Sequence, residues 1–160
     1  MILSEKTQKR ILAEKNKYPQ LKTAILPSLY AVYEEFGYLS NETMKEVGEL
    51  LEVPYLEIVE VASFYTMFPK KPMGRYYLQV CTNLSCALLG GENLVKYLEE
   101  KLKVKTGEVT TDGVFSIGTV ECLGSCGTAP MLQVNNLHFH ENLTKEKVDE
   151  LLAELRNSHK

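Results

Sequence analysis

Apolar residues recur at helical spacing through the first seventy positions. Ile2, Leu3, Ile11 and Leu12 stand among Lys6, Lys9, Arg10 and Lys15. Ser4 can cap this run, which predicts a helix to about Tyr18 that Pro19 ends. A second run, from about Gln20 to Phe36, sets Leu21, Ile25, Leu29, Val32, Tyr33 and Phe36 on one face. Gly37 is its natural C-terminal stop, and Pro27 inside it predicts a kink or a break. Ser40 and Asn41 are candidate caps for a third helix with Met44, Val47, Leu50 and Leu51 on one side. Pro54 suits the first turn of a fourth, to about Phe64. No strand-like alternation interrupts this stretch, so residues 1–70 read as a small helical bundle.

Phe68-Pro69-Lys70-Lys71-Pro72-Met73-Gly74 then reads as a linker. Beyond it the period changes. Tyr76 to Val80 is a predicted strand, and Gly91 to Lys103 a helix with Leu94, Val95, Leu98 and Leu102 inward. Phe115 to Glu121 alternates like a strand. Met131 to Val134 and Leu137 to Phe139 are two more, parted by the turn pair Asn135-Asn136. Thr144 caps a last helix carrying Val148, Leu151, Leu152 and Leu155. The order strand, helix, three strands, helix predicts a thioredoxin-like α/β domain over 71–160. The chain as a whole is then α+β.

Composition narrows the function. The 160 residues are 44% apolar and 24% charged, a globular balance, and the net charge is −3. That charge argues against nucleic acid as a partner. No run of eighteen uncharged apolar residues occurs, and Met1 to Lys6 lacks a secretory pattern, so a cytosolic chain with no direct membrane contact is expected. Residues 1–22 carry net +4 and residues 31–60 net −7. These are either solvated helix faces or a docking surface for a protein partner. A short helix after a turn also invites a DNA-binding reading, against which the acidic third and fourth helices speak.

Four cysteines remain to be explained in a reducing compartment. Cys81 and Cys86 form C-x4-C, and Cys122 and Cys126 form C-x3-C after thirty-five intervening residues. Each pair follows a predicted strand, so two neighbouring loops could present four sulfurs to one place. Disulfides, a four-cysteine zinc site and an iron–sulfur cluster all fit such a set. The small and polar loop residues, Thr82-Asn83-Leu84-Ser85 and Leu123-Gly124-Ser125 with Gly127 after, favour iron–sulfur. They allow backbone N–H groups to turn toward sulfur. Zinc ribbons more often use two-residue gaps. No C-x-x-C is present for dithiol exchange, and no C-x-x-C-x-x-C run for a 4Fe–4S ferredoxin.

At these residues the sequence resembles the thioredoxin-like 2Fe–2S subunit of respiratory NADH:quinone oxidoreductase (complex I). Relatives of that family also serve NAD-reducing hydrogenases and formate dehydrogenases. The resemblance rests on Val80 to Cys86 and Val120 to Cys126. It extends to Phe36 to Ser40, Val61 to Phe68, Thr110 to Phe115 and Thr128 to Pro130, nearly the whole chain. It implies that Cys81, Cys86, Cys122 and Cys126 bind one 2Fe–2S cluster. It also implies a flavin- and NADH-binding partner subunit that carries FMN and NAD, on the cytoplasmic side of a membrane. The expected role is a low-potential one-electron carrier, since the oxidised cluster with four thiolates already bears roughly −2. No side chain looks like a nucleophile or general base, so the isolated chain is not expected to turn over. A free-standing ferredoxin is the alternative of the same fold, and a structural zinc module that of another class. His138 and His140 flank Phe139 and read as ordinary strand residues, as does His159 as a terminal one. Pro130 holds the position where thioredoxin-like folds place a cis proline. Phe64, Tyr65, Met67 and Phe68 read as a seal at the end of the bundle, or a partner surface.

Overall fold

The computed structural model describes residues 2–158, so His159 lies outside the described residues. Two compact units divide at Pro72 and Met73.

The first unit holds four helices. Helix α1 spans Glu5–Lys15, shorter than the periodicity suggests, with the Ser4 hydroxyl accepting from the Thr7 N–H. A 3-10 turn, Leu21–Ala24, leads into α2, Ile25–Phe36. The run from Gln20 to Phe36 is divided between Ala24 and Ile25, and Pro27 is the third residue of α2, where its missing N–H has no intrahelical carbonyl to meet. Gly37 closes α2 in the left-handed conformation at φ +74°. Helix α3, Asn41–Leu51, opens with a reciprocal Ser40–Thr43 capping box, and α4 spans Tyr55–Phe64 after Pro54. Leu3, Ile11, Ile25, Leu29, Val32, Val47, Leu51 and Ile58 fill one core. Ile2 and Leu12, apolar by pattern, are instead exposed. Tyr30 and Tyr33 set their edges on the buried Phe68, which seals the bundle, while Phe64 projects outward, 77% exposed.

The uneven charge of this unit is largely answered within it. Arg10 of the basic first helix pairs with Glu34 of α2, Lys15 reaches Glu52 at 2.8 Å, and Lys22 reaches Glu57 at 2.9 Å. Glu46 of α3 accepts from the backbone N–H groups of Ile2 and Leu3 and ties down the start of the chain.

The second unit holds a four-stranded mixed sheet in which the second strand of the sequence lies at one edge, followed across the sheet by the first, third and fourth. Strands β1, Tyr76–Cys81, and β2, Phe115–Val120, run parallel, with Cys81 opposite Val120. Strands β3, Leu132–Val134, and β4, His138–His140, are antiparallel to their neighbours. Asn135 and Asn136 both take positive φ, +55° and +59°, which makes the tight β3–β4 turn. Helix α5, Leu84–Leu88, and helix α6, Gly91–Leu102, form the crossover, and α7, Lys145–Asn157, closes the chain. Leu78, Val80, Phe115, Ile117 and Leu132 from the sheet pack with Leu94, Leu98, Val148, Leu151 and Leu152 from α6 and α7. The Ala129–Pro130 peptide is cis, as expected at this position. Helix α5 departs from expectation. The first cysteine segment is not all loop, and Cys86 stands on that helix. No helix among the described residues is long and apolar enough to cross a membrane.

Candidate metal centre

The site is built where the parallel strands β1 and β2 end. Cys81 is the last residue of β1, and its N–H donates to the Met131 carbonyl at 3.2 Å. Asn83 then does two things. Its side-chain oxygen caps α5 by accepting from the Leu84 N–H at 2.8 Å, and its amide donates to Glu121, the residue before Cys122. One asparagine thereby fastens the first cysteine segment to the second. Helix α5 turns Cys86 back beside Cys81, and both are buried at 3% exposure against Met131. Gly91 allows this close turn. A β-carbon there would meet the carbonyl oxygens of Cys81 and Cys86 at 2.8 and 2.9 Å.

The second segment leaves β2 and reverses at Gly124, φ +81°, whose N–H donates to the Cys122 sulfur at 3.4 Å. The Cys122 and Cys126 sulfurs are 3.4 Å apart, and both residues are exposed. Cys126 opens a 3-10 turn, Cys126–Thr128, and the Asn83 bond to Glu121 joins the two segments. One buried pair and one exposed pair of thiols thus face each other.

Their electrostatics differ accordingly. Burial, then the neighbouring Cys81 thiol, pushes the Cys86 thiol up to about 11. The Gly124 N–H, helped by the Cys126 thiol, holds Cys122 below the ordinary thiol value. Cys122 in turn raises Cys126. Expected backbone donors are present in part. Gly124 points at sulfur, whereas the Leu84 N–H is committed to Asn83.

The donor set fits a binuclear cluster. Two irons each need two thiolates, and the thiols come as two pairs. His138 and His140 lie on β4, and burial lowers the His140 pKa. Three contacts here were not legible beforehand: Asn83 to Glu121, Glu141 to Ser125, and Glu141 to Thr128. All join residues far apart in sequence. Only Asn83, a polar cap residue ahead of an apolar turn, carried a local signal.

Fold and paired thiols together define a thioredoxin scaffold with four cysteines gathered where its parallel strands end. The chain belongs to the thioredoxin-like [2Fe-2S] ferredoxin family, whose model matches residues 11–156. It is 41% identical to an NADH-quinone oxidoreductase subunit of Rhizobium meliloti over 149 residues, 93% of this chain and 88% of that one. It is 46% identical to NADH-quinone oxidoreductase subunit 2 of Thermus thermophilus over 142 residues, 88% and 78% of the two chains. It is 43% identical to an NADH-quinone oxidoreductase subunit of Rickettsia bellii over 144 residues, 88% and 86%. Among solved structures, an NAD+-reducing [NiFe]-hydrogenase in the air-oxidized state shares the fold, with TM-score 0.69 and 23% identity. That likeness covers 82% of this chain and 23% of the hydrogenase chain.

Proposed function

We propose that this chain is the electron-carrying subunit of an NADH:quinone oxidoreductase, and that Cys81, Cys86, Cys122 and Cys126 hold one 2Fe–2S cluster. The observation that carries the reading is the pairing of thiols, Cys81 with Cys86 and Cys122 with Cys126, at the ends of two adjacent parallel strands. When bound, such a cluster supplies low-potential one-electron storage. The rest is the work of this chain. Four thiols give up their protons to become ligands. The Gly124 N–H offsets charge on the Cys122 sulfur. Glu121 and Glu141 place negative charge nearby and favour a low potential.

The names of the relatives support a multi-subunit complex, which this reading places on the cytoplasmic side of a membrane. There a flavin- and NADH-binding partner would exchange electrons between its FMN and this site. The break between compact units at Pro72 supports a bundle domain over 1–70 and a cluster domain over 71–160. A free ferredoxin would need only the second of these.

Anaerobic purification tests the reading, with iron, acid-labile sulfide and zinc measured per chain and an electron paramagnetic resonance (EPR) spectrum taken after dithionite reduction. About two irons and two sulfides with a reduced-state S = 1/2 signal are expected, and Cys→Ser at any of the four positions lowers both metal and signal. About one zinc and no sulfide, in protein never depleted of iron, overturns it.

A further inference from the structure

The segment between β4 and α7 lies along the second cysteine segment. The Asn142 N–H donates to the Thr128 carbonyl at 2.7 Å, and the Leu143 N–H to the Pro130 carbonyl at 2.9 Å. Glu141 completes the contact with its side chain. One carboxylate oxygen, Oε1, accepts from the hydroxyls of both Ser125 and Thr128, the latter at 2.6 Å. These two hydroxyls also meet each other at 2.6 Å. They bracket Cys126, one residue before it and two after. Ser125 precedes the 3-10 turn at Cys126 and gives it no side-chain cap, because its hydroxyl is committed to Glu141. A carboxylate that gathers two hydroxyl donors forms charge-assisted bonds, stronger than neutral ones. Both donors hold Glu141 below the usual carboxylate range.

We propose that Glu141 is a positioning residue for the cluster: it anchors Cys126 through the Ser125 and Thr128 hydroxyls and sets a fixed negative charge at the exposed side of the site. The inference rests on the reading of the four cysteines as cluster ligands. Its two parts separate by substitution. Glu141→Gln keeps an acceptor oxygen and removes the charge. Ser125→Ala with Thr128→Val keeps the charge and removes the anchor. Glu141→Ala removes both.

The test uses the full chain, reconstituted anaerobically with iron and sulfide. Three quantities are measured: the midpoint potential by EPR-monitored titration, the rate of iron release to a ferrous chelator, and deuterium uptake at Gly124 to Thr128 in the metal-free chain. Glu141→Gln is expected to raise the potential and leave release within about twofold. The Ser125/Thr128 double variant releases iron about fivefold faster at an unchanged potential. Glu141→Ala does both, and its metal-free segment takes up deuterium faster than wild type. Unchanged potential in Glu141→Gln, or unchanged release and uptake in Glu141→Ala, overturns the inference. Wild-type chain that takes up no cluster overturns the functional reading instead, and the deuterium comparison still decides the anchor.

Discussion

Asp112 organises a turn with one carboxylate. It accepts from the Thr110 hydroxyl at 2.5 Å and the Val114 N–H at 3.0 Å, and it pairs with Arg156 at 3.0 Å. Arg156 in turn lies over the Phe115 ring, 5.0 Å from its centre. This geometry aims the chain into β2 and gives a reason for the Thr110 to Phe115 motif that the sequence displays. The Thr110 hydroxyl first, then the Val114 N–H and Arg156, hold Asp112 at about 2 against an ordinary 3.8. The folded pKa is depressed, so the stabilisation is present above the unfolded value and is lost as pH falls from about 4 toward 2. Asp112→Asn is therefore expected to lie below wild type in stability near pH 6, with the gap closing as pH approaches 2. Urea midpoints of both proteins across that range check it. A gap that stays constant overturns the assignment.

Among elements, α5 and α6 decide the inner half of the site. Gly91, the first residue of α6, lets that helix start against the Cys81 and Cys86 carbonyls. Gly91→Ala forces those backbones apart, at a cost of about 1–3 kcal/mol. Lower iron content and a lower melting temperature are the expected results, measured side by side with wild type. Full iron content would show that the two segments yield freely. The long helices and the strands were legible because their apolar residues repeat over several turns, as Ile25, Leu29 and Val32 do, or alternate, as Leu78 and Val80 do. The cysteine spacing was equally plain. Helix α5 was not, because five residues hold little more than one turn of a period. The true place of Pro27 was hidden for a related reason. Whether proline breaks a helix depends on which residue begins it, and the 3-10 turn before α2 moved that start to Ile25.

At the scale of the whole molecule, each unit closes a core of its own, one built on helices without a strand and the other on sheet and helix. Neither the Glu141 contact nor the pairing of Arg10 with Glu34 could be read from spacing, since both need the fold before the partners meet. Separate cores predict separate folding. Residues 73–160 expressed alone are expected to reconstitute with about the same iron and sulfide per chain as the full protein. A fragment that precipitates or stays metal-free would show that the bundle is needed to form the centre. The unequal exposure of the two thiol pairs has a further consequence, for wear and repair. Reagents arriving from solution meet Cys122 and Cys126, while Cys81 and Cys86 are screened by Met131 and the turn of α5. If the four cysteines hold a cluster, Cys122 and Cys126 would form its solvent-facing side; oxidants and scavengers would reach it there first, and a donor delivering fresh iron would enter by the same side, so that decay and renewal would share one doorway.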